Sequence, residues 1–166
     1  QNPSAPNAPD LQSTSDSGAS DTDNITNDNT PTFDITGVES LATVEVFADG
    51  ISLGTINVPD GQSSVSFTPL TPMDDGTYVI TATQKDTENN TSAVSATMAP
   101  NLVIDKVAPA ASNYPDLQSV SDSGPSNTDN ITNDDTPTID ISGLESGATV
   151  PVYADASVLG TVVVGI

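Results

Sequence analysis

Histidine, cysteine and tryptophan are absent from this 166-residue chain. Without histidine the commonest general base is missing. Without cysteine there is no thiol nucleophile, no thiolate zinc site and no disulfide framework. Most classes of catalytic site are thereby removed, and no enzymatic activity is expected. Positive charge is also nearly missing, with 2 Lys plus Arg against 23 Asp plus Glu and a formal net charge of -21. A nucleic-acid duplex or an anionic lipid surface would repel such a chain, which excludes both as partners. No run approaches 18 apolar residues and no charged-then-apolar leader opens the chain, so no membrane insertion is expected. Any export signal is expected to have been removed or to lie outside these residues. Aromatics are only 4% of the chain.

What is abundant is aspartate: 19 of the 23 acidic residues are Asp. Glu would dominate an acidic helical face because it is the better helix former, whereas Asp favours turns and oxygen-ligand loops for hard cations. Composition therefore points to Ca2+ as the leading cofactor. Ser and Thr supply about a quarter of the chain, with 13 Pro and 11 Gly. That mixture fits either disorder or a turn-rich β fold, and periodicity decides between them.

The chain repeats itself. PDLQSTSDSGASDTDNITNDNTPTFDITGVES, beginning at Pro9, is answered 106 residues later by PDLQSVSDSGPSNTDNITNDDTPTIDISGLES. From Pro9 to Val58 roughly two-thirds of the positions match without a gap. A period near 100 residues suits one sandwich domain rather than a solenoid turn. The expected organisation is a linker over residues 1–8, a complete domain over 9–108, and the N-terminal half of a second copy over 109–166. Gln1 aligns with Val107, so the chain reads as a piece of a longer array.

Within the first copy apolar residues alternate: Phe33 and Ile35, Val44 and Val46, Leu53 with Ile56 and Val58, Val65 and Phe67, Tyr78 with Ile80 and Ala82, then Val94, Ala96 and Met98. Period two predicts strands, about seven in all with Leu11–Thr14 as the first and Thr32–Thr36 as the second. Turn residues separate them at Asp49-Gly50, Pro59-Asp60-Gly61, Asp74-Asp75-Gly76 and Glu88-Asn89-Asn90. Asp74 to Tyr78 has the form D-x-G-x-Y, which predicts a tyrosine corner with the Tyr78 hydroxyl bonded back to nearby backbone. The fold class is all-β: tandem immunoglobulin-like sandwiches, the second incomplete.

These strings, together with DGTYVITATQKDTENNTSAVS and LVIDKVAPAA, resemble the bacterial immunoglobulin-like repeats of giant secreted RTX-type adhesins and biofilm-associated surface proteins. The resemblance covers nearly the whole chain from Pro9, and the DSG-x-S-x-TDNITND loop is its most specific part. It implies extracellular tandem domains that space an adhesive module away from the cell, commonly stiffened by calcium at domain junctions. The sequence departs from the family at QKDTENNTS, where TDAAGNTS is more usual.

The loop from Asp16 to Asp28 crowds Asp16, Asp21, Asp23, Asn24 and Asp28 into thirteen residues. Carboxylates at that density repel one another unless a cation relieves them, and calcium takes six to eight oxygen ligands. In the second copy Asp122, Asp129, Asn130 and Asp134 keep their places and Asn127 replaces Asp21. Sandwich topology places this loop at the pole where the last strand leaves, beside Asp105 and the Asp74-Asp75 turn. A junction ion completed by Glu145 of the next copy is one expectation, and an Asx-rich surface turn without metal is the other. Asn24, Asn130, Asn89 and Asn90 each head a glycosylation acceptor pattern of low specificity.

The expected function is a structural spacer whose partners are neighbouring repeats of the same chain or of adjacent subunits. Two alternatives remain from the sequence: a subunit of a polymerised filament or surface layer with strand exchange, and a glycan-binding module. Few aromatics stand ready to stack on sugars, which favours the spacer. The half copy is expected to leave Ile139, Ile141, Val150, Val152 and Leu159 open. Each large aliphatic left in water forgoes about 1.5–3 kcal/mol, so continuation of the chain or a strand from another chain is expected to close it. The terminal VVVGI departs from the INVPD of the first copy, which keeps strand donation in view.

Overall fold

The computed structural model describes residues 1–18 and 20–165. Ile166, the last residue of the VVVGI run, lies outside the described residues. The described residues form strands, turns and irregular segments without a helix, and none is a helix long and apolar enough to cross a membrane. The chain divides into one unit over 1–106 and another over 107–166.

In the first unit β1 (Asp10–Leu11), β3 (Phe33–Thr36) and β6 (Ser64–Phe67) form one sheet in the order β1-β3-β6. The facing sheet is β5 (Ile51–Asn57), β4 (Thr43–Ala48) and β8 (Ile80–Lys85), in the order β5-β4-β8. All pairings in both sheets are antiparallel. The β4–β5 hairpin turns on Asp49 and Gly50, with φ of 51° and 79°. Two left-handed residues in succession match the twist of the flanking strands, which is why Asp-Gly suits this loop.

Between the sheets lies the core of alternating side chains. Phe33, Ile35, Val44, Val46 and Ile80 are fully buried and Phe67 nearly so, while Val65 and Tyr78 pack on its margin. The Tyr78 hydroxyl donates to the Asp74 carbonyl at 3.0 Å, forming the expected corner. The first strand is shorter than alternation predicts: it spans Asp10–Leu11, the Gln12 amide still donates to the Thr32 carbonyl at 2.9 Å, and Ser13–Ser15 turn away, with the Ser15 and Asp16 amides donating to the Gln12 carbonyl.

Val94, Ala96 and Met98 do not form an alternating strand. Val94 is exposed, and Ser92, Ser95 and Met98 point inward instead, a period of three. Their amides donate to the carbonyls of Gln84, Ala82 and Ile80. The Ser92 and Ser95 hydroxyls accept the Gln84 and Ala82 amides, each at 3.0 Å. Three residues of this segment thus pair with two of β8, and serine oxygens stand in for the carbonyls that an in-register strand would supply. A three-residue repeat is that of an extended polyproline-like chain, not of a pleated strand.

At one pole β2 (Ile25–Thr26), β9 (Leu102–Ile104) and β7 (Gly76–Tyr78) make a small sheet in the order β2-β9-β7, with β2 parallel to β9. Residues 1–8, read from the sequence as linker, lie against the first unit. Pro3 and Pro6 are buried, and the Asn7 amide donates to the Thr36 carbonyl at 3.0 Å.

The second unit pairs β10 (Asp116–Leu117) with β11 (Ile139–Asp140), and β12 (Thr149–Ala154) with β13 (Ser157–Val163). These match β1, β3, β4 and β5. Ile139 is 37% and Leu159 63% exposed, and Ile141, Val150 and Val152 are half-buried. Phe33 and Ile35, the counterparts of Ile139 and Ile141, are sealed at 0% within the core of the first unit, where β6 pairs alongside them.

Candidate functional site

The loop between β1 and β3 owes its shape to side chains that replace backbone pairing. The Ser15 hydroxyl donates to Asp28 Oδ2 at 3.1 Å and accepts the Thr32 amide at 3.0 Å. Asp28 Oδ1 accepts the Thr30 amide at 2.9 Å, an Asx turn that starts the return to β3. Ser17 donates to Asn27 Oδ1 at 2.7 Å, and the buried Thr26 hydroxyl donates to the Ser15 carbonyl. Ser15, Ser17 and Thr26 were not singled out by charge patterning. Their signal in the sequence is recurrence as Ser121, Ser123 and Thr132, and the same bonds recur with them.

The acidic candidates divide by what their oxygens do. Asp16 is 4% exposed; its Oδ2 accepts the Asn24 amide at 3.1 Å, and its Oδ1 is buried without a hydrogen-bond partner. Burial pushes the Asp16 carboxyl above its ordinary value; the Asn24 bond opposes this, and the adjacent Asp23 carboxylate adds to it. Asp23 Oδ1 accepts the Ile25 amide at 3.1 Å. Asn24, in the left-handed region at φ 60°, donates its side-chain amide to the Pro100 carbonyl at 2.7 Å. That amide is buried and committed, so Asn24 does not present a glycosylation acceptor. Asp28 serves the turn described above. Asp21 is exposed and lines a shallow hollow with Asp10, Gln12 and Asp34.

Asp105 lies beside this loop, its amide donating to the Thr26 carbonyl at 2.9 Å. The Asp74-Asp75 turn reaches the same pole through β7, and Asp75 pairs with Lys106 at 3.4 Å. Among the described residues, however, no three carboxylates gather closely enough to hold a metal ion by themselves. What the fold brings together in the loop is one pair, Asp16 with Asp23.

A hard cation fits that pair in one respect that an Asx turn does not explain. An anionic oxygen buried without a donor is costly unless a cation or a proton meets it. Gly18 lets the loop pass close to the Ile25 carbonyl and to Asp23: a Cβ there would stand 3.0 Å from the Ile25 carbonyl oxygen and 3.8 Å from Asp23 Oδ1.

The second copy reproduces the arrangement. Asp122 is 4% exposed, its Oδ2 accepts the Asn130 amide at 3.2 Å, and its Oδ1 is again buried and unpartnered. Asp129 accepts the Ile131 amide at 3.2 Å, and a Cβ on Gly124 would meet the Ile131 carbonyl oxygen at 3.2 Å. The Thr136 amide holds the Asp134 carboxyl below its ordinary value. Asn130 is exposed, and its Oδ1 accepts the Leu117 amide at 3.2 Å.

Two facing antiparallel sheets closed by a tyrosine corner define an immunoglobulin-like sandwich. The chain belongs to the bacterial Ig-like domain family, whose model matches residues 2–106 and again 109–164. A search of curated proteins finds no match. Among solved structures, the BSP domain of a biofilm-associated protein aligns at 23% identity with a TM-score of 0.40, over 62% of this chain and 15% of that one.

Proposed function

We propose that this chain is a structural spacer segment of an extracellular bacterial surface protein or adhesin, built from tandem Ig-like domains and rigidified by calcium at its Asp-rich loops. The observation that carries the reading is the recurrence, 106 residues apart, of one hydrogen-bonded loop with a buried unpartnered carboxylate oxygen at its centre. A scaffold repeated down to individual bonds is conserved architecture rather than a unique active centre. The absence of His and Cys, together with the structural character of Ig-like domains, supports a role without catalysis. Neighbouring Ig-like repeats are the natural partners. Calcium, when bound, would neutralise part of the charge of -21 and stabilise the native state by mass action.

The half-buried faces of Ile141, Val150 and Val152 favour a second reading, in which strands from an adjacent subunit complete the second unit within a filament. Thermal unfolding with excess calcium and with excess chelator tests the first reading. Loss of several degrees on chelation is expected, and superimposed curves would defeat calcium rigidification. A concentration-dependent oligomer in sedimentation would support the second.

A further inference from the structure

We propose that each Asp-rich loop carries its own divalent-cation seat, in which Asp16 Oδ1 and the Asp23 carboxylate, or Asp122 Oδ1 and the Asp129 carboxylate, are the charged ligands. The inference rests on the calcium reading above and goes beyond it, because it assigns the ligands and makes the seat a property of one loop.

Three observations carry it. Acidic crowding alone would not, since Asp28 spends its oxygens on Ser15 and Thr30, and Asp21 faces solvent. The first observation is the orphan oxygen: one carboxylate in each loop is more than nine-tenths buried, with one oxygen bonded to backbone and the other to nothing. The second is the tight passage of the chain at Gly18 or Gly124, where a Cβ would crowd the Ile25 or Ile131 carbonyl oxygen and stand within contact of the Asp23 or Asp129 carboxylate, so that a backbone oxygen and the second carboxylate lie close together.

The third is independence from the rest of the sandwich. In the first unit β9 and Pro100 cover the loop through Thr26 and Asn24. Among the described residues of the second unit no equivalent strand is present, yet Asp122 remains at 4% exposure, with the same backbone bond and the same unpartnered oxygen. The loop therefore builds the seat from its own residues. Position 21 agrees, because Asn127 replaces Asp21 in the second copy while the Asp16 and Asp23 counterparts are kept. Two carboxylates and the Ile25 or Ile131 carbonyl supply part of a calcium shell, and water supplies the remainder. Such a site suits the affinity range of extracellular modules, about 0.1–1 mM.

The test is calorimetric titration of the full chain, stripped with chelator, with calcium chloride. The wild type should take up one ion per loop. Asp16→Asn and Asp122→Asn should each remove one ion, and the double variant both. Asp60→Asn, in a hairpin turn, should remove none. Because Asp16 is buried, Asp23→Asn and Asp129→Asn at more accessible positions repeat the test without risk to folding, and circular dichroism checks each variant. A wild type that binds no calcium would overturn both this inference and the calcium reading. Calcium uptake unchanged in all four loop variants would overturn the ligand assignment and leave the calcium reading standing. A single ion lost in Asp16→Asn but indifferent to Asp122→Asn would overturn the self-contained seat.

Discussion

The side-chain amide of Gln84 donates to the Ser4 carbonyl at 2.8 Å, joining residues 80 positions apart. Gln84 is fully buried, and its Oε1 accepts the Glu39 amide at 2.7 Å while its Nε2 also reaches the Gly37 carbonyl at 3.3 Å. One side chain thus holds the N-terminal segment and the turn after β3 against β8. Gln84→Ala leaves these backbone groups without their partner, and should cost about 2–4 kcal/mol in urea unfolding. Gln84→Glu should be no milder, because its carboxylate would face two carbonyl oxygens.

The serines of the segment after β8 carry bonds that a pleated strand would make with backbone. Ser95→Ala removes the acceptor for the buried Ala82 amide and should destabilise by about 1–2 kcal/mol. Val94→Ser, at an exposed neighbouring site, should change stability by less than about 0.5 kcal/mol. Equal effects in thermal unfolding would contradict the three-residue period.

Tyr78→Phe keeps the ring and deletes only the hydroxyl that donates to the Asp74 carbonyl. A loss of about 0.5–1.5 kcal/mol is expected, with unchanged circular dichroism.

Asp86 accepts the Asn90 side-chain amide at 2.8 Å, and the Asn90 and Glu88 backbone amides at 2.8 and 3.0 Å. The Asn90 side chain, ahead of the backbone bonds, holds its carboxyl below the ordinary 3.8. The native state therefore binds fewer protons than the unfolded chain just below that value. The stabilisation is complete above pH 3.8 and fades as pH falls through the lowered native value. Asp86→Ala should melt below the wild type at pH 6, and the gap should close under more acid conditions.

The alternation of Phe33, Ile35, Val44 and Val46, the Asp49-Gly50 turn, the D-x-G-x-Y corner and the 106-residue repeat were legible without coordinates. Each is local: a period, a turn residue or a recurrence carries its own physical cause. The segment from Thr91 to Met98 was not, because its period of three depends on serine hydroxyls meeting β8, a tertiary bond invisible in hydrophobic pattern. Among the clustered acids, charge made Asp16, Asp21, Asp23 and Asp28 look alike. Only the folded loop separates a turn-forming Asp28 and a solvated Asp21 from a buried Asp16 lying against Asp23. Asn24 and Asn130 share a sequence context, and so do Ile35 and Ile141, yet one of each pair is buried and the other is not. Local sequence determines the loop and the strand, whereas burial depends on chain many residues away, because apolar and polar groups are sealed from water only when a facing layer is present to cover them.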